Sequence, residues 1–530
     1  MMDTPSRLIS DAQLQEWSDR FGMEICSSLK EAEWVRLQTP LMPYAFVKKK
    51  GILPLSERDG KVVIALSNPL DLEAIHEIQL VLGRETIEVL ASASDIEEAI
   101  EFSYHQHEEA TSHLIASLQN SEESLDLQEG EEYDLLDSKA DSPVIRILNS
   151  ILLEAIQQGA SDIHFEPLEH GIGVRYRIDG VLQKRHSPPK EYQSQLITRM
   201  KVLSRLDIAE QRLPQDGRLK LKIGSRHIDF RVSTIPSVFG ERIVLRILDK
   251  SNVLLGLHNI GIRADILRDF QTLIRFSEGI VLVTGPTGSG KTTTLYSALS
   301  EINSSEVNIM TIEDPVEYKL QGMAQIGVNT KINLNFSTGL RHILRQDPDV
   351  IMIGEIRDKE TADIAIQASL TGHLVLSTLH TNDAPSALTR LIDMGIEPYL
   401  LTSSVVGVLA QRLVRSLCPH CKKPYTPSER EILDLHITPQ EVAGRSFFKP
   451  MGCDQCYGSG YKGRCGIYEL MTLKNAIKEQ LLRSADAHRL QELARELGMT
   501  SLRKEGALLV LDGQTSSEEV MRATRGYEGM

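Results

Sequence analysis

The sequence predicts an α/β protein. Its core is a parallel sheet that carries a phosphate-binding loop, with two smaller α+β domains before it and a cysteine-rich module near its end. Three observations predict this class. A short glycine loop lies between an apolar strand and a helix, strands and helices alternate from about residue 255 onward, and four of the six cysteines form two C-x-x-C pairs.

Length and charge narrow the possible functions. The chain has 530 residues, enough for about three or four domains. Its formal net charge of -15 argues against a nucleic acid as the main partner, because binding to nucleic-acid phosphates needs clustered lysine and arginine. The chain contains no apolar run of about 18 residues, and residues 1–16 lack the layout of a signal peptide. We therefore expect a cytoplasmic protein that reaches a membrane only through a partner.

The first 105 residues are predicted to form a small mixed α+β domain. Its predicted elements are a strand at 62–66 and amphipathic helices at 71–82 and 95–104. A polar segment follows, in which residues 121–141 contain nine carboxylates and a single lysine. Such a segment buries too little apolar surface to order itself, so we interpret residues 106–141 as an acidic flexible linker.

A second α+β domain is predicted over about 142–250. Serine is a common helix N-cap and proline suits the first helical position, so Ser142-Pro143 indicates the start of a helix. Alternating apolar and polar residues at 173–178 and 227–232 indicate antiparallel strands further along.

The most specific motif is the glycine loop at Thr284–Thr292, which matches the pattern G-x-x-x-x-G-K-[ST]. An apolar run precedes it and a helical segment follows, which is the context in which this pattern binds phosphate. The glycines let backbone N–H groups surround the phosphates, and the helix N-terminus adds positive charge. Lys291 is expected to reach the β- and γ-phosphates, and Thr292 is expected to hold Mg²⁺. The predicted nucleotide-binding residues are Gly285, Pro286, Thr287, Gly288, Ser289, Gly290, Lys291 and Thr292.

Three later segments are each predicted to end a buried strand with polar groups, at 310–318, 345–358 and 371–381. In open α/β sheets ligands bind at the carboxyl ends of the strands. The second segment delivers Glu355 after an apolar strand, the layout of a Walker B carboxylate that holds Mg²⁺ directly or through water. The first supplies Glu313, an acid able to polarise an attacking water.

The two C-x-x-C pairs, Cys418 with Cys421 and Cys453 with Cys456, fit a tetrahedral Zn²⁺ site. The alternatives are a redox dithiol or free thiols. Four protein ligands leave no open position, so such a zinc would be structural. We assign neither Cys465 nor His420 as a ligand, and we interpret Cys26 as a small buried hydrophobic residue.

These motifs together resemble the GspE/PilB-type secretion ATPases, the motor ATPases of type II secretion and type IV pilus assembly. The resemblance covers residues 142–530 strongly and 1–105 more weakly. The segments that carry it are the acidic box 312–317, the Walker B region 347–358, the histidine box 371–381, and the upstream stretches 159–166, 212–218, 230–234 and 240–242.

The resemblance implies a RecA-like ATPase domain over 255–530, with a zinc module at 412–468 and a helical region at 470–530. It also implies a PAS-like domain over 142–250 that packs against a neighbouring subunit in a homohexamer that uses ATP, Mg²⁺ and Zn²⁺. The residue roles that it implies are Glu313 as general base, Glu355 as the Mg²⁺-linked acid, His380 as a sensor of the γ-phosphate, and Arg218 and Arg231 as arginine fingers, with Arg242 as third choice.

Residues 1–105 resemble the N-terminal domain of general secretion pathway protein E, through 41–46 and 66–71. This resemblance implies docking on an inner-membrane platform protein. Some relatives bind cyclic di-GMP through a related domain, but the repeated Arg-Leu-Gly motif of that domain is not found in this sequence.

The function implied is a motor ATPase of type II secretion that drives pseudopilus assembly. Retraction motors of the family lack the tetracysteine module and the long N-terminal extension, which favours extension-type work. The alternatives are a type IV pilus assembly ATPase and a DNA-uptake or conjugation ATPase, the latter disfavoured by the acidic charge. A third alternative, a P-loop kinase or small-molecule enzyme, is disfavoured by the acidic box, the histidine box and the cysteine module.

Overall fold

The computed structural model describes residues 11–26, 47, 50–58, 61–69, 71, 75–76, 78–79, 85–96, 99, 133–134, 142–223, 226–249 and 256–525. The chain divides into two compact units, Met1–Ser251 and Asn252–Met530. No helix among the described residues has the length and apolar character needed to cross a membrane.

The first unit begins with a four-stranded sheet, in the order β1-β4-β3-β2. Its elements are helix α1 (Asp11–Phe21) and strands β1 (Glu24–Ile25), β2 (Ile52–Arg58), β3 (Lys61–Leu66) and β4 (Thr86–Leu90). The strand predicted at 62–66 is β3, in which every residue after Lys61 is buried. Residues 75–76, 78–79, 95–96 and 99 of the two predicted helices are helical, whereas Asp71, the predicted start of the first helix, is not. The other residues of these two helices lie outside the described part.

Most of the predicted acidic linker also lies outside the described residues, so that interpretation stays a prediction. The exception is a two-residue strand, β5 (Tyr133–Asp134), which pairs in parallel with Leu221 and Lys222. This short piece of the segment is therefore part of the next sheet.

That second sheet has seven strands, in the order β5-β9-β10-β11-β6-β7-β8. Its further elements are α2 (Pro143–Gln157), β6 (Ala160–Leu168), β7 (Gly171–Ile178), β8 (Val181–His186), α3 (Gln193–Leu203), β9 (Gln215–Ile223), β10 (Arg226–Ser237) and β11 (Gly240–Asp249). Helix α2 begins at Pro143 as predicted, although the Ser142 side chain makes no capping hydrogen bond. Apolar residues of α2 and α3 share one buried cluster with alternate strand residues such as Phe165 and Phe230.

The opposite face of the second sheet is charged. One row of paired residues across five strands consists of Arg218, Arg231, Arg246, Asp162 and Arg177. Because directly paired residues point to the same side of a sheet, these side chains share one face.

The second unit contains a seven-stranded sheet flanked by helices. Its strands are β12 (Gly279–Thr284), β13 (Ile309–Glu313), β14 (Ala324–Gly327), β15 (Val350–Ile353), β16 (Leu374–Leu379), β17 (Val405–Leu417) and β20 (Tyr461–Thr472), and a small separate sheet pairs β18 (Lys423–Tyr425) with β19 (Phe447–Lys449). The order in the large sheet is β14-β13-β15-β16-β12-β17-β20, and every neighbouring pair is parallel except β17 with β20. Parallel strands buried on both faces by helices confirm the predicted α/β class.

The helices of this unit are α4 (Ala264–Leu273), α5 (Lys291–Ile302), α6 (Phe336–Ile343), α7 (Lys359–Leu370), α8 (Ala384–Asp393), α9 (Pro398–Ser404), α10 (Glu429–Asp434), α11 (Pro439–Val442), α12 (Asn475–Arg483), α13 (Ala487–Glu496), α14 (Leu502–Leu511) and α15 (Ser517–Thr524). Strand β20 extends to Thr472, so the predicted helical region becomes helical at Asn475 rather than at 470. The strand is longer because it remains paired with β17 down to Gly407.

The cysteine module is an excursion between β17 and β20. Leu417 pairs with Tyr461, so residues 418–460 leave the large sheet and return to it at adjacent positions. Apolar residues of the excursion, including Leu435 and Phe447, form a buried cluster with Ala507, Val510 and Val520 of the last helices. The strand parts of the predicted module 412–468 thus belong to the large sheet.

Candidate functional site

The glycine loop joins the fully buried strand β12 to helix α5, and its backbone favours glycine, as Gly285 and Gly290 show. Gly285 has φ 153°, and a Cβ there would lie 2.5 Å from the carbonyl oxygen of Gln411. Gly290 has φ 87°, in the left-handed region, immediately before α5 begins. The loop therefore approaches β17 more closely than any side chain allows.

Lys291, the first residue of α5, extends its side chain back over the loop. Its Nζ donates hydrogen bonds to the carbonyl oxygens of Gly285 at 2.8 Å and Pro286 at 3.1 Å. Burial, helped by the charge of Arg412, lowers the pKa of Lys291 to about 8 against the attraction of Glu355. An anion bound in the loop would oppose this lowering. Thr292 is exposed at the same helix N-terminus, where its hydroxyl is a suitable oxygen ligand for Mg²⁺.

The acidic and histidine segments meet at the same edge of the sheet, as the sequence predicted. Strands β13, β15, β16 and β12 are parallel neighbours, so their carboxyl ends lie together. Glu313 is the last residue of β13, Glu355 lies two residues beyond β15, and His380 follows β16 directly.

Glu355 and His380 contact each other within this edge. His380 Nε2 lies 3.3 Å from Glu355 Oε2, and Arg357 forms an ion pair with the other Glu355 oxygen. Burial works to raise the pKa of Glu355, but the hydrogen bond and charge of Arg357, helped by His380, outweigh it and lower that pKa. Burial and the charge of Lys291 lower the pKa of His380 despite its acidic neighbour. This edge of the sheet thus holds an ionised Glu355 carboxylate beside the His380 imidazole, whose protonation is disfavoured.

Glu313 is buried, and both of its carboxylate oxygens accept hydrogen bonds from side chains. Thr311 Oγ1 donates to Oε1 at 2.6 Å, Gln325 Nε2 donates to the same oxygen at 3.2 Å, and the Tyr296 hydroxyl donates to Oε2. Since Tyr296 belongs to α5, the carboxylate is connected directly to the helix that begins at Lys291. This arrangement satisfies a buried carboxylate and fixes its orientation.

The histidine box is bonded to the strand that precedes the glycine loop. The Thr381 backbone N–H donates to Thr284 Oγ1 at 2.9 Å, and the two threonine hydroxyls are 2.7 Å apart. The Thr284 hydroxyl also lies 3.1 Å from the Leu379 carbonyl oxygen. His380 is therefore flanked on both sides by residues in contact with Thr284.

The arginines predicted to act as fingers lie in the first unit. Arg218 and Arg231 are direct register partners on β9 and β10, and Arg218 is exposed. Arg242 forms an ion pair with Glu166 at 2.7 Å and contacts His164 Nδ1 at 3.2 Å. Arg242 is thus already engaged with an acid and a histidine on its own sheet.

The four cysteines of the two C-x-x-C pairs come together, with all their sulfur atoms within 4.8 Å of one another. The Cys418–Cys453, Cys421–Cys456 and Cys453–Cys456 sulfur distances are 3.9, 3.8 and 3.7 Å. Tetrahedral zinc with Zn–S bonds of about 2.3 Å requires sulfurs about 3.8 Å apart. The donor set and its spacing therefore fit a zinc ion, and backbone N–H groups of Cys453 and Gly460 donate to the Cys456 sulfur.

Sequence reasoning missed several residues of this site, among them Tyr296, Arg357 and Gln411. Arg357 lies within the Walker B segment and could have been found by asking which cation neutralises Glu355. The other two act through contacts with residues distant in the sequence and belong to no pattern.

A phosphate loop, a carboxylate with its histidine and a second strand-end acid at one edge of a parallel sheet define a P-loop nucleoside triphosphatase. Comparison with known proteins agrees with this class. A sequence model of the Type II/IV secretion system protein family matches residues 137–522, and a MshEN domain model matches residues 21–110. The chain belongs to the Type II/IV secretion system protein family and is an ATPase.

Two relatives illustrate the similarity. Type II secretion system protein E of Aeromonas hydrophila is 48% identical over 491 residues, which is 92% of this chain and 97% of that protein. Type IV pilus assembly ATPase PilB of Myxococcus xanthus is 44% identical over 487 residues, which is 91% of this chain and 86% of that protein. The solved ATPase DotB of Legionella pneumophila aligns with a TM-score of 0.54 at 21% identity, over 74% of this chain and 99% of that one, and shows that the fold is shared.

Membership of this family implies the use of a nucleotide with Mg²⁺ and oligomeric assembly.

Proposed function

We propose that this protein is the cytoplasmic motor ATPase of a type II secretion system, a homohexamer whose ATP hydrolysis drives pseudopilus assembly and protein export. The observation that carries the proposal is the 48% identity to a type II secretion system protein E along nearly the full length of both chains. The phosphate loop, Glu355, His380 and Glu313 at one sheet edge supply the hydrolytic site.

In this proposal each residue of the edge has a distinct role. Lys291 and the loop N–H groups bind the β- and γ-phosphates, and Thr292 with Glu355 holds Mg²⁺, which would neutralise phosphate charge when bound. Glu313 is the general base toward the attacking water. His380 senses the γ-phosphate, since its ring contacts Glu355 and the residues on either side of it contact Thr284.

Arg218 and Arg231 are proposed to act on the nucleotide of a neighbouring subunit. They are paired on one charged sheet face, and guanidinium groups side by side can neutralise charge on a transferring phosphoryl group. We expect the Arg218→Ala, Arg231→Ala double variant to bind ATP normally and to lose about 10³-fold in turnover. Phosphate release and binding of a fluorescent ATP analogue measure the two quantities.

Mixing two inactive variants in one ring shows whether the arginines act on the nucleotide of a neighbouring subunit or only within their own subunit. The arginine double variant retains its phosphate loop and a Lys291→Ala variant retains its arginines, so mixed rings should regain hydrolysis where the two kinds adjoin. Absence of any recovery would remove the fingers from the proposal. The matched control is Arg246→Ala, because Arg246 lies opposite Arg231 in the sheet and pairs with Asp162 at 3.0 Å. This variant should retain turnover.

The four clustered cysteines are proposed to hold a structural zinc.

Residues 1–105 are proposed to dock on an inner-membrane platform protein. The motor is then peripheral to the membrane through that partner. The match of residues 21–110 to a domain model supports a separate N-terminal domain. Direct binding of nucleic acid is not part of the proposal, given the net charge of -15.

The pathway is tested by deleting the gene in its own host and restoring it with the wild type or with Lys291→Ala. We expect deletion to abolish release of exported proteins while surface pili remain. We expect the wild type to restore export and Lys291→Ala to fail, because the loop loses its phosphate-binding cation. Exported proteins in the medium, piliation and accumulation of each variant are measured in parallel.

The second candidate is a type IV pilus assembly ATPase, favoured by the 44% identity to PilB of Myxococcus xanthus. Loss of pili with export intact would establish this candidate and overturn the first. Loss of DNA uptake alone would overturn both.

A further inference from the structure

We propose that Gln411 is a positioning residue that sets the conformation of the phosphate loop. This inference rests on the proposed function only in taking the loop to bind a nucleotide. Gln411 belongs to none of the sequence motifs described above.

Its place on the sheet puts Gln411 directly beside the loop. Strand β17 runs parallel to β12, and the last residue of β12, Thr284, pairs with Ala410. Gln411 is therefore the first residue of β17 beyond that pairing, at the point where the neighbouring chain turns into the loop. Its side chain is 2% exposed.

The contacts of Gln411 reach the beginning of the loop, its end and the helix that follows. A Cβ on Gly285 would lie 2.5 Å from the Gln411 carbonyl oxygen, so the main chain limits the start of the loop. Gln411 Nε2 donates to the Ser289 carbonyl oxygen at 2.6 Å, near the end of the loop. Gln411 Oε1 accepts from Thr294 Oγ1 at 2.8 Å, in the first turn of α5.

The side-chain amide of Gln411 satisfies both partners at once. The Ser289 carbonyl needs a donor and the Thr294 hydroxyl needs an acceptor, and a carboxylate or an alkyl chain of the same length lacks the donor. A buried carbonyl left without its donor is costly, and the loop can regain one only by moving. A carbonyl that turns away from Gln411 also turns the peptide that joins Ser289 to Gly290, whose N–H belongs to the phosphate-binding set.

The test uses the full-length oligomer and the variants Gln411→Glu, Gln411→Leu, Thr294→Val and Thr294→Ser. The readouts are the Kd for a fluorescent ADP analogue, KM and kcat for ATP, and the melting temperature without nucleotide. We expect both Gln411 variants to raise Kd and KM about tenfold or more, with a smaller change in kcat. Thr294→Val should raise them less, and Thr294→Ser should remain close to the wild type because it keeps the hydroxyl.

The split between KM and kcat separates positioning from simple loss of structure. A partly misfolded preparation has fewer active sites, which lowers apparent kcat and leaves Kd and KM unchanged. The matched control is Ser404→Ala, which removes a buried hydrogen bond of 2.7 Å to the Leu400 carbonyl just before β17 without a contact to the loop. Its Kd and KM should equal those of the wild type.

The inference is overturned if both Gln411 variants, or Thr294→Val where the Gln411 variants do not fold, keep Kd and KM within about twofold of the wild type. Failure of the motor function is distinguishable, because ADP binding reports on the loop even in a protein that exports nothing.

Discussion

Replacing Glu313 with glutamine is expected to leave ATP binding intact and to reduce turnover about 10²- to 10⁴-fold. The amide cannot accept a proton from water, whereas the phosphate loop, Glu355 and His380 are unchanged. The hydrogen bonds from Tyr296 and Thr311 show that this position is built for a carboxylate, so the variant also places an amide among donors. Phosphate release at saturating ATP and the Kd of a fluorescent ATP analogue test the two halves of the prediction.

The matched control for this substitution is Glu360→Gln. Glu360 is an exposed carboxylate of the same unit that pairs with Arg341 at 2.6 Å, and its replacement should leave both quantities unchanged. Wild-type turnover in a purified Glu313→Gln oligomer would remove Glu313 as the base and direct attention to another acid at the sheet edge.

The second large effect is expected from the Cys418→Ser, Cys421→Ser variant, which should lose its zinc. Wild-type protein should contain about one zinc per chain, and the variant close to none, because two thiolates cannot complete the tetrahedral site. Elemental analysis measures the metal. We also expect the variant to be cleaved by protease within 418–460 under conditions in which the wild type resists, since structural zinc contributes folding free energy directly.

Cys465→Ser is the control for this experiment. Cys465 lies on β20, outside the four clustered sulfurs, so its replacement should leave the zinc content unchanged. Full zinc content in the Cys418→Ser, Cys421→Ser protein would refute the site, and loss of zinc in Cys465→Ser would mean that the ligand set has been assigned wrongly.

The parts of this site that the sequence predicted are those produced by local chemistry. The glycine loop was identifiable because its spacing and flanking elements encode one backbone conformation. The convergence of Glu355 and His380 was predictable because parallel strands place their carboxyl ends at one edge. The cysteine cluster followed from ligand spacing alone.

The parts that the sequence did not predict depend on strand order and on contacts between distant residues. Gln411 contacts Ser289, which lies 122 residues earlier, only because β17 is the neighbour of β12 in the sheet. Glu313 was predicted only as an acid able to polarise an attacking water, and nothing in the sequence indicated that it accepts hydrogen bonds from Thr311, Gln325 and Tyr296, of which the last two lie on other elements, β14 and α5. No periodicity or motif specifies such pairings before the fold is known.

The position of the cysteine module has a consequence for how chains of this architecture can diverge. Because Leu417 and Tyr461 are partners on one ladder, a tight turn could replace residues 418–460 and leave an ordinary hairpin at the sheet edge. The cysteine module is therefore an insertion that can be gained or lost without disrupting the large sheet. Its removal would leave Ala507, Val510 and Val520 facing solvent. A chain that loses the cysteine module must therefore also acquire polar residues on its last helices. Comparison of such sequences should show these two changes occurring together.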